Sequence, residues 1–209
     1  MQLILASHNL KKLKELEAAF GGLGLELIGA AAAGADEPEE PHATFLENAL
    51  VKARHAARHG RRPAIADDSG LCVEALHGAP GVVSAHYAAV PLPPGDRETQ
   101  RSVQDQANNQ RLLEQLGDRP DRQARFVSTL VAVRSADDPE PLVAVGRWQG
   151  EILRKPRGAA GFGYDPLMFI PALDATVAML DPATKNRHSH RALAAQQMRR
   201  LMTEVWGLG

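Results

Sequence analysis

Short apolar runs followed by polar turns and helix-period stripes recur along the chain. Residues 3–6 are an apolar run of the length a buried strand needs. Leu10, Leu13, Leu16 and Phe20 follow at spacings of 3, 3 and 4, with Lys11, Lys12, Lys14, Glu15 and Glu17 between them. That pattern predicts an amphipathic helix stopped by Gly21 and Gly22. The turn between strand and helix, Ser7-His8-Asn9, would face the free N–H groups of the helix start, where an anion can sit. Residues 36–41 read as an acidic, proline-flanked loop. Thr44 with Glu47 three residues on is a capping box, and Phe45, Ala49, Ala53 and Ala56 mark the helix behind it. Residues 63–66 predict a short strand ending at Asp67-Asp68-Ser69-Gly70. Gly78, Pro80 and Gly81 predict a turn, and residues 91–95 are the best candidate linker.

Val103, Ala107, Leu112, Leu113 and Leu116 suggest another helix, stopped by Gly117. The strongest strand signals are 126–134 and 142–150, an antiparallel pair around the turn cluster 135–141. Gly158, Gly161 and Gly163 give a flexible loop before the apolar run 166–171. From Ser189 onward, Leu193, Gln196, Gln197 and Leu201 indicate a final helix. No internal repeat or low-complexity tract interrupts this alternation.

Composition narrows the class. The 209 residues correspond to about 1.4 domains at roughly 150 residues each. A chain of this size buries about 70% of its surface on folding, enough for a core without staples. Aromatics are only 4%, so that core must be mostly Leu, Val, Ile and Ala. The net charge of −1 lacks the footprint of a non-specific nucleic-acid binder and offers no polybasic membrane patch. Cys72, the single cysteine, excludes an internal disulfide and points to a reducing compartment. The opening apolar stretch is too short for a signal peptide, and prolines 80, 91, 93 and 94 break the longest uncharged segment. These features predict a soluble cytoplasmic protein that binds neither nucleic acid nor membrane.

Five segments concentrate residues suited to phosphate and metal chemistry. Ser7, His8, Asn9, Leu10, Lys11 and Lys12 offer a hydroxyl, an amide, lysines and free N–H groups to a polyphosphate; an ordinary N-cap with solvated lysines has the same look. Asp67 and Asp68 repel each other unless a cation sits nearby, which suits Mg²⁺, although Asp-Ser-Gly is also good turn chemistry. The acidic run Glu37, Glu39, Glu40 reads as a metal-binding or merely solvated loop. Gly161-Phe162-Gly163-Tyr164-Asp165 sets an aromatic between glycines, able to lie on a planar base or to form a plain hairpin. Lys185 to Arg191 clusters cations with serine, as phosphate or purine recognition requires and as a basic helix start also shows. His42, His55, His59 and His77 show no metal-ligand spacing and read as background. Cys72, inside an apolar run, reads as a buried structural thiol.

Taken in order, these segments resemble the inosine/xanthosine triphosphate pyrophosphatase family. The matching stretches are Leu5 to Lys12, Thr44 to Ala49 with Lys52 and Ala53, Ala66 to Leu71, Gly81 to Tyr87, Gly161 to Pro166, and Lys185 with Ser189-His190-Arg191. They span residues 3 to 191. The resemblance implies one domain over 1–209 with an elongated, two-lobed mixed α/β fold, its central sheet flanked by helices and the active-site cleft between the lobes. It implies cleavage of ITP, dITP and XTP between the α and β phosphorus atoms, giving the monophosphate and pyrophosphate, in a Mg²⁺-dependent homodimer. The hard oxygen ligands would accept Mn²⁺ as well.

The resemblance also implies residue roles. Ser7, Asn9 and Lys12 would hold phosphates, with Lys52 near them and Ser69 also binding substrate. Lys12 and Lys52 would stabilise the charge developing on the departing pyrophosphate, Lys12 as a catalytic residue. Glu40, Asp67 and Asp68 would bind the metal, and Asp68 would orient and deprotonate the attacking water. Phe162 would stack on the base, framed by Gly163, Tyr164, Asp165 and Lys185. Donors from His190 and Arg191 would read the oxygen at C6. Three positions depart from the family pattern: His8 replaces a small residue, His86 an arginine and Met179 a glutamate. They motivate an alternative preference for other modified nucleotides. A nucleotide sensor without catalysis is the alternative from a different class, and the retained Glu40, Asp67 and Asp68 speak against it.

Overall fold

A computed structural model of the chain describes residues 1–7, 16–34, 36, 38–91 and 93–209. Its strands are β1 (Gln2–Leu5), β2 (Glu26–Gly29), β3 (Ala64–Val73), β4 (Gln123–Val133), β5 (Leu142–Ile152), β6 (Met168–Ile170) and β7 (Ala175–Thr176). Its longer helices are α1 (Phe45–Gly60), α2 (Arg97–Leu116), α3 (Pro182–His188) and α4 (His190–Trp206). The fold is mixed α/β, with one seven-stranded sheet in the order β2-β1-β3-β4-β5-β6-β7, flanked by helices. β1 runs parallel to β2 and β3, while β6 is antiparallel to β5 and β7. The neighbours β4 and β5 are joined by residues 134–141, too short a connection for a parallel crossover.

The chain divides into two compact units. One comprises Met1–Ser69, Ser128–Arg147 and Asn186–Gly209; the other comprises Gly70–Val127 and Trp148–Lys185. Their boundaries fall inside β3, β4, β5 and α3, not at residues 91–95. That stretch, expected as a linker, lies wholly inside the second unit. Proline-rich composition marks irregular backbone at its described residues, 91 and 93–95, whereas the division cuts the long strands, each of which contributes to both units, and α3.

In the first unit β1 is buried on both faces. Side chains alternate along a strand, so Leu3 and Leu5 join Ile65 and the α4 residues Ala194, Ala195, Met198 and Met202. Ile4 points the other way, into Ala64, Ala66 and the α1 residues Ala49, Ala53, Ala56 and Ala57. The alanine stripe brings α1 close to the sheet. Thr44 starts that helix as expected: its hydroxyl accepts from Glu47 N at 3.2 Å and lies 2.6 Å from the Glu47 carboxylate. Residues 16–19 are helical, and Leu16 and Phe20 are buried as the periodicity requires.

The second unit packs Leu71, Val73, Leu112, Leu116, Phe126 and Trp148 with Tyr164, Leu167 and Met168. Here the buried face of α2 differs from the expected one. It is Gln104, Asn108, Leu112 and Leu116, so its first half is polar. Gln104 donates to the Ala88 carbonyl at 2.8 Å, and Asn108 donates to the carbonyls of Ser84 and Ala85 at 3.2 and 3.1 Å. These amides satisfy the backbone at and just after the 3-10 helix Gly81–His86. An apolar count along the helix misses them. β2 is a further element that the hydrophobic pattern does not disclose.

Candidate active site

The acidic pair does not end a strand. β3 continues through Asp67, Asp68 and Ser69 to Val73, and both carboxylates are buried. Strand alternation therefore sends the two neighbours to opposite faces. Asp68 shares the parity of Ala64 and Ala66 and meets α1; Asp67 shares the parity of Ile65 and meets α4. The expected trio of Glu40, Asp67 and Asp68 around one ion is not gathered. Among the described residues the three-member group of donor side chains lies elsewhere, at Asp36, His55 and His59.

On the α1 side, Lys52 Nζ is 3.0 Å from Glu40 Oε2 and 3.0 Å from Asp68 Oδ1. Asn48, one turn earlier on the helix, donates to Asp68 Oδ2 at 3.4 Å. Its Oδ1 accepts from His42 N at 3.0 Å and its amide reaches the His42 carbonyl at 3.3 Å. Asn48 thus fastens the loop that carries Glu40 to the helix that carries Lys52. Spacing of four on a helix puts Asn48 and Lys52 on one face, a signal present in the sequence without a role assigned to Asn48.

Burial raises the Asp68 carboxyl to about 6; Lys52 pulls it down, and the nearby Glu40 carboxylate adds to the rise. Burial by itself would lower the Lys52 ammonium, but the two carboxylates outweigh it and hold the group above its usual range. A carboxylate near neutral pH is a far better general base than one in its ordinary range. The convergent oxygens of Glu40 and Asp68 are hard donors of the kind Mg²⁺ or Mn²⁺ takes.

On the α4 side, Asp67 Oδ1 accepts from Ser128 Oγ at 2.7 Å and Oδ2 from Ser69 Oγ at 3.1 Å. Arg191 Nε lies 3.7 Å from Asp67 Oδ2. Ser189 caps α4 by accepting from Ala192 N at 3.2 Å, which places the buried His190 and the neighbouring Arg191 in its first turn. Gly146 of β5 allows this approach: a Cβ there would collide with the His190 carbonyl and stand 2.6 Å from Ala194 N. Ser128 carries no signal in the sequence, because β4 reads only as an apolar strand.

The second unit gathers the aromatic loop. Lys185 Nζ is 2.7 Å from Asp165 Oδ2 and 4.8 Å from the centre of the Phe162 ring. Phe162 N donates to the same carboxylate at 3.0 Å. Gly161 has φ +85°, and a side chain there would strike Asp165. Two residues of α2 grip the next residue: Gly163 N donates to Asp105 Oδ2 at 2.7 Å, and Asn109 donates to the Gly163 carbonyl at 2.9 Å. Tyr164 OH donates to the Ser84 carbonyl at 2.9 Å. The motifs of the sequence do not include Asp105 and Asn109, although their spacing of four marks one helix face.

Ser7 is described and half-buried, while His8, Asn9, Leu10, Lys11 and Lys12, and Glu37 of the acidic run, lie outside the described residues. His86 and Met179, two of the departures, are exposed. Cys72 is buried, as its apolar run predicts. No helix among the described residues is long and apolar enough to cross a membrane.

Known proteins match the chain over nearly its whole length. A model of the Ham1 family matches residues 3–201. The dITP/XTP pyrophosphatase of Methylibium petroleiphilum is 63% identical over 206 residues, covering 99% of each chain. That of Leptothrix cholodnii is 63% identical over 213 residues, covering 100% of each. A HAM1 protein of Coxiella burnetii superposes with a TM-score of 0.89 at 40% identity, over 98% of this chain and 100% of its own.

Proposed function

The chain belongs to the Ham1 family, and from that premise we propose that it is a nucleoside triphosphate pyrophosphatase for non-standard purine nucleotides. It hydrolyses ITP, dITP and XTP at the α–β phosphoanhydride, releasing monophosphate and pyrophosphate and clearing these nucleotides from the pool. The substrate class follows from relatives that match over nearly their full length. One geometric observation supports the chemistry: Glu40 and Asp68 converge on Lys52 Nζ at 3.0 Å each. The cluster joins a candidate base to a fixed positive charge, and its net charge of −1 with both carboxylates ionised is what a divalent cation would offset before a polyphosphate approaches.

Asp68 accepts a proton from water as the water oxygen bonds to phosphorus. The anhydride bond breaks, and its electron pair leaves on the bridging oxygen. Lys52 is a fixed positive charge beside the charge that develops there. Glu40 and Asp68 fit a Mg²⁺ or Mn²⁺ ion, and the bound ion supplies phosphate neutralisation and a more acidic water. Ser7, Asn9 and Lys12 hold the phosphates, with His8, Leu10 and Lys11 beside them. Asp67 serves as a positioning residue: with Ser128 and Ser69 it fixes the Arg191 guanidinium. Phe162 offers a face to the base, with Asp165, Lys185, Gly163 and Tyr164 shaping its loop. His190 and Arg191 supply donors that favour an oxygen at C6 over the adenine amine, a preference of roughly tenfold to a hundredfold for one opposed polar group.

The proposal extends to one catalytic domain over residues 1–209, working as a cytoplasmic homodimer. The deciding experiment incubates the protein with ITP, XTP, dITP, GTP and ATP, with and without Mg²⁺, and measures pyrophosphate and orthophosphate separately. Metal-dependent pyrophosphate from the first three alone supports the reading; orthophosphate, or equal turnover of all five, overturns it.

A further inference from the structure

We infer that Asp36, His55 and His59 form a site for a borderline divalent transition cation of the Zn²⁺ class, separate from the carboxylates around Lys52. His55 and His59 stand four apart on α1 and so share a face. Their rings are 4.2 Å apart between centres. His55 Nε2 is 2.7 Å from Asp36 Oδ1. His59 Nδ1 lies 2.9 Å from the His55 carbonyl, which only accepts, so Nδ1 is the donor there and Nε2 is the ring nitrogen left to face a ligand. A ring nitrogen tied to a backbone carbonyl, with the other left to coordinate, is the usual arrangement of a metal-binding histidine. One donor atom from each residue lies within 4.8 Å of the other two.

The donor set decides the ion. Two imidazoles and one carboxylate suit Zn²⁺, Co²⁺ or Ni²⁺, whereas Mg²⁺ takes oxygen almost exclusively. Asp36 and His59 are exposed, leaving access for the ion and room for water as further ligands. Asp36 and His55 also line, with Lys52, a small cavity beside α1. A bound ion would therefore clip residue 36 of the acidic loop to the helix that carries Lys52. In the sequence His55 and His59 read as background; the fold changes that reading, because Asp36 joins the pair only through folding.

The test titrates Co²⁺ into the Mg²⁺-saturated protein and follows both the visible absorption of the bound ion and the heat released. One Co²⁺ per chain is expected, displaced by Zn²⁺. His59→Ala should weaken Co²⁺ binding at least tenfold while leaving the Mg²⁺-dependent hydrolysis rate unchanged, and Asp36→Asn should weaken it as well. Melting curves of both variants check folding, and Asp36→Asn, on a loop, decides the matter should His59→Ala unfold. Wild-type protein that takes up no Co²⁺ under Mg²⁺ saturation, or equal Co²⁺ affinity in the wild type and the folded variants, overturns the proposal.

Discussion

Replacing Lys52 by methionine keeps the aliphatic stem and removes only the charge between Glu40 and Asp68. The Lys52 and Asp68 side chains are 8% and 10% exposed and 3.0 Å apart. Coulomb's law at an effective dielectric of about 20 gives roughly 5 kcal/mol gross for such a pair. Relief from burying the ammonium offsets part of that, and removing one partner of a buried pair typically costs about 3–5 kcal/mol net. The Glu40 side chain is 37% exposed, so solvent screens its share to about 1 kcal/mol or less. The expected loss is thus about 3 kcal/mol, read as the shift in urea unfolding free energy of Lys52→Met in a chelator at pH 8.

The pH dependence separates a lost charge from a mere packing defect. Asp68 sits near 6 folded against 3.8 as its ordinary value, and losing Lys52 raises the folded value further. A raised carboxylate penalises the folded state when ionised, so the fold gains relative stability as pH falls through the folded value. The gap between wild type and variant must therefore be widest above about pH 7 and shrink below about 6, where Asp68 binds a proton in both. Saturating Mg²⁺ should also narrow it. A loss under about 0.5 kcal/mol, or a gap constant from pH 5 to pH 8, would refute the reasoning.

Three further outcomes follow. The acid limb of kcat/KM for ITP should fall with an apparent pKa at or below about 6, because Asp68 acts ionised; Asp68→Asn should lose about a hundredfold or more and flatten that limb, as a pH series of initial rates will show. Gly146→Ala forces the start of α4 away from β5 and should cost about 1–3 kcal/mol or more in thermal unfolding, with ITP turnover falling because His190 and Arg191 move together. Asp105→Ala strips the acceptor from Gly163 N and should raise KM for ITP while kcat changes little, since it acts through the Phe162 loop; an unchanged KM in steady-state kinetics would detach Asp105 from that loop's role.

The chain itself determined much of this protein. The capping box at Thr44, the alanine stripe of α1, the strands β4 and β5 and the final helix are local, set by periodicity and side-chain chemistry over a few residues. The motifs carrying the family resemblance are also local strings, so residues such as Asp68, Lys52, Phe162 and Arg191 stand out from the amino-acid order alone. Partnership was decided by tertiary structure. Whether Asp67 and Asp68 share an ion depends on whether β3 stops at them or continues; pairing with β1 ends at Ile65, and β4 is the neighbour beside which β3 runs on. One residue of strand register then separates their side chains by a whole sheet thickness, giving Asp68 to Lys52 and Asp67 to Arg191. Ser128, Asn48 and Asp105 took their roles the same way. A polar side chain finds its partner across 20 to 61 residues of chain, a distance over which sequence patterns carry no spacing rule.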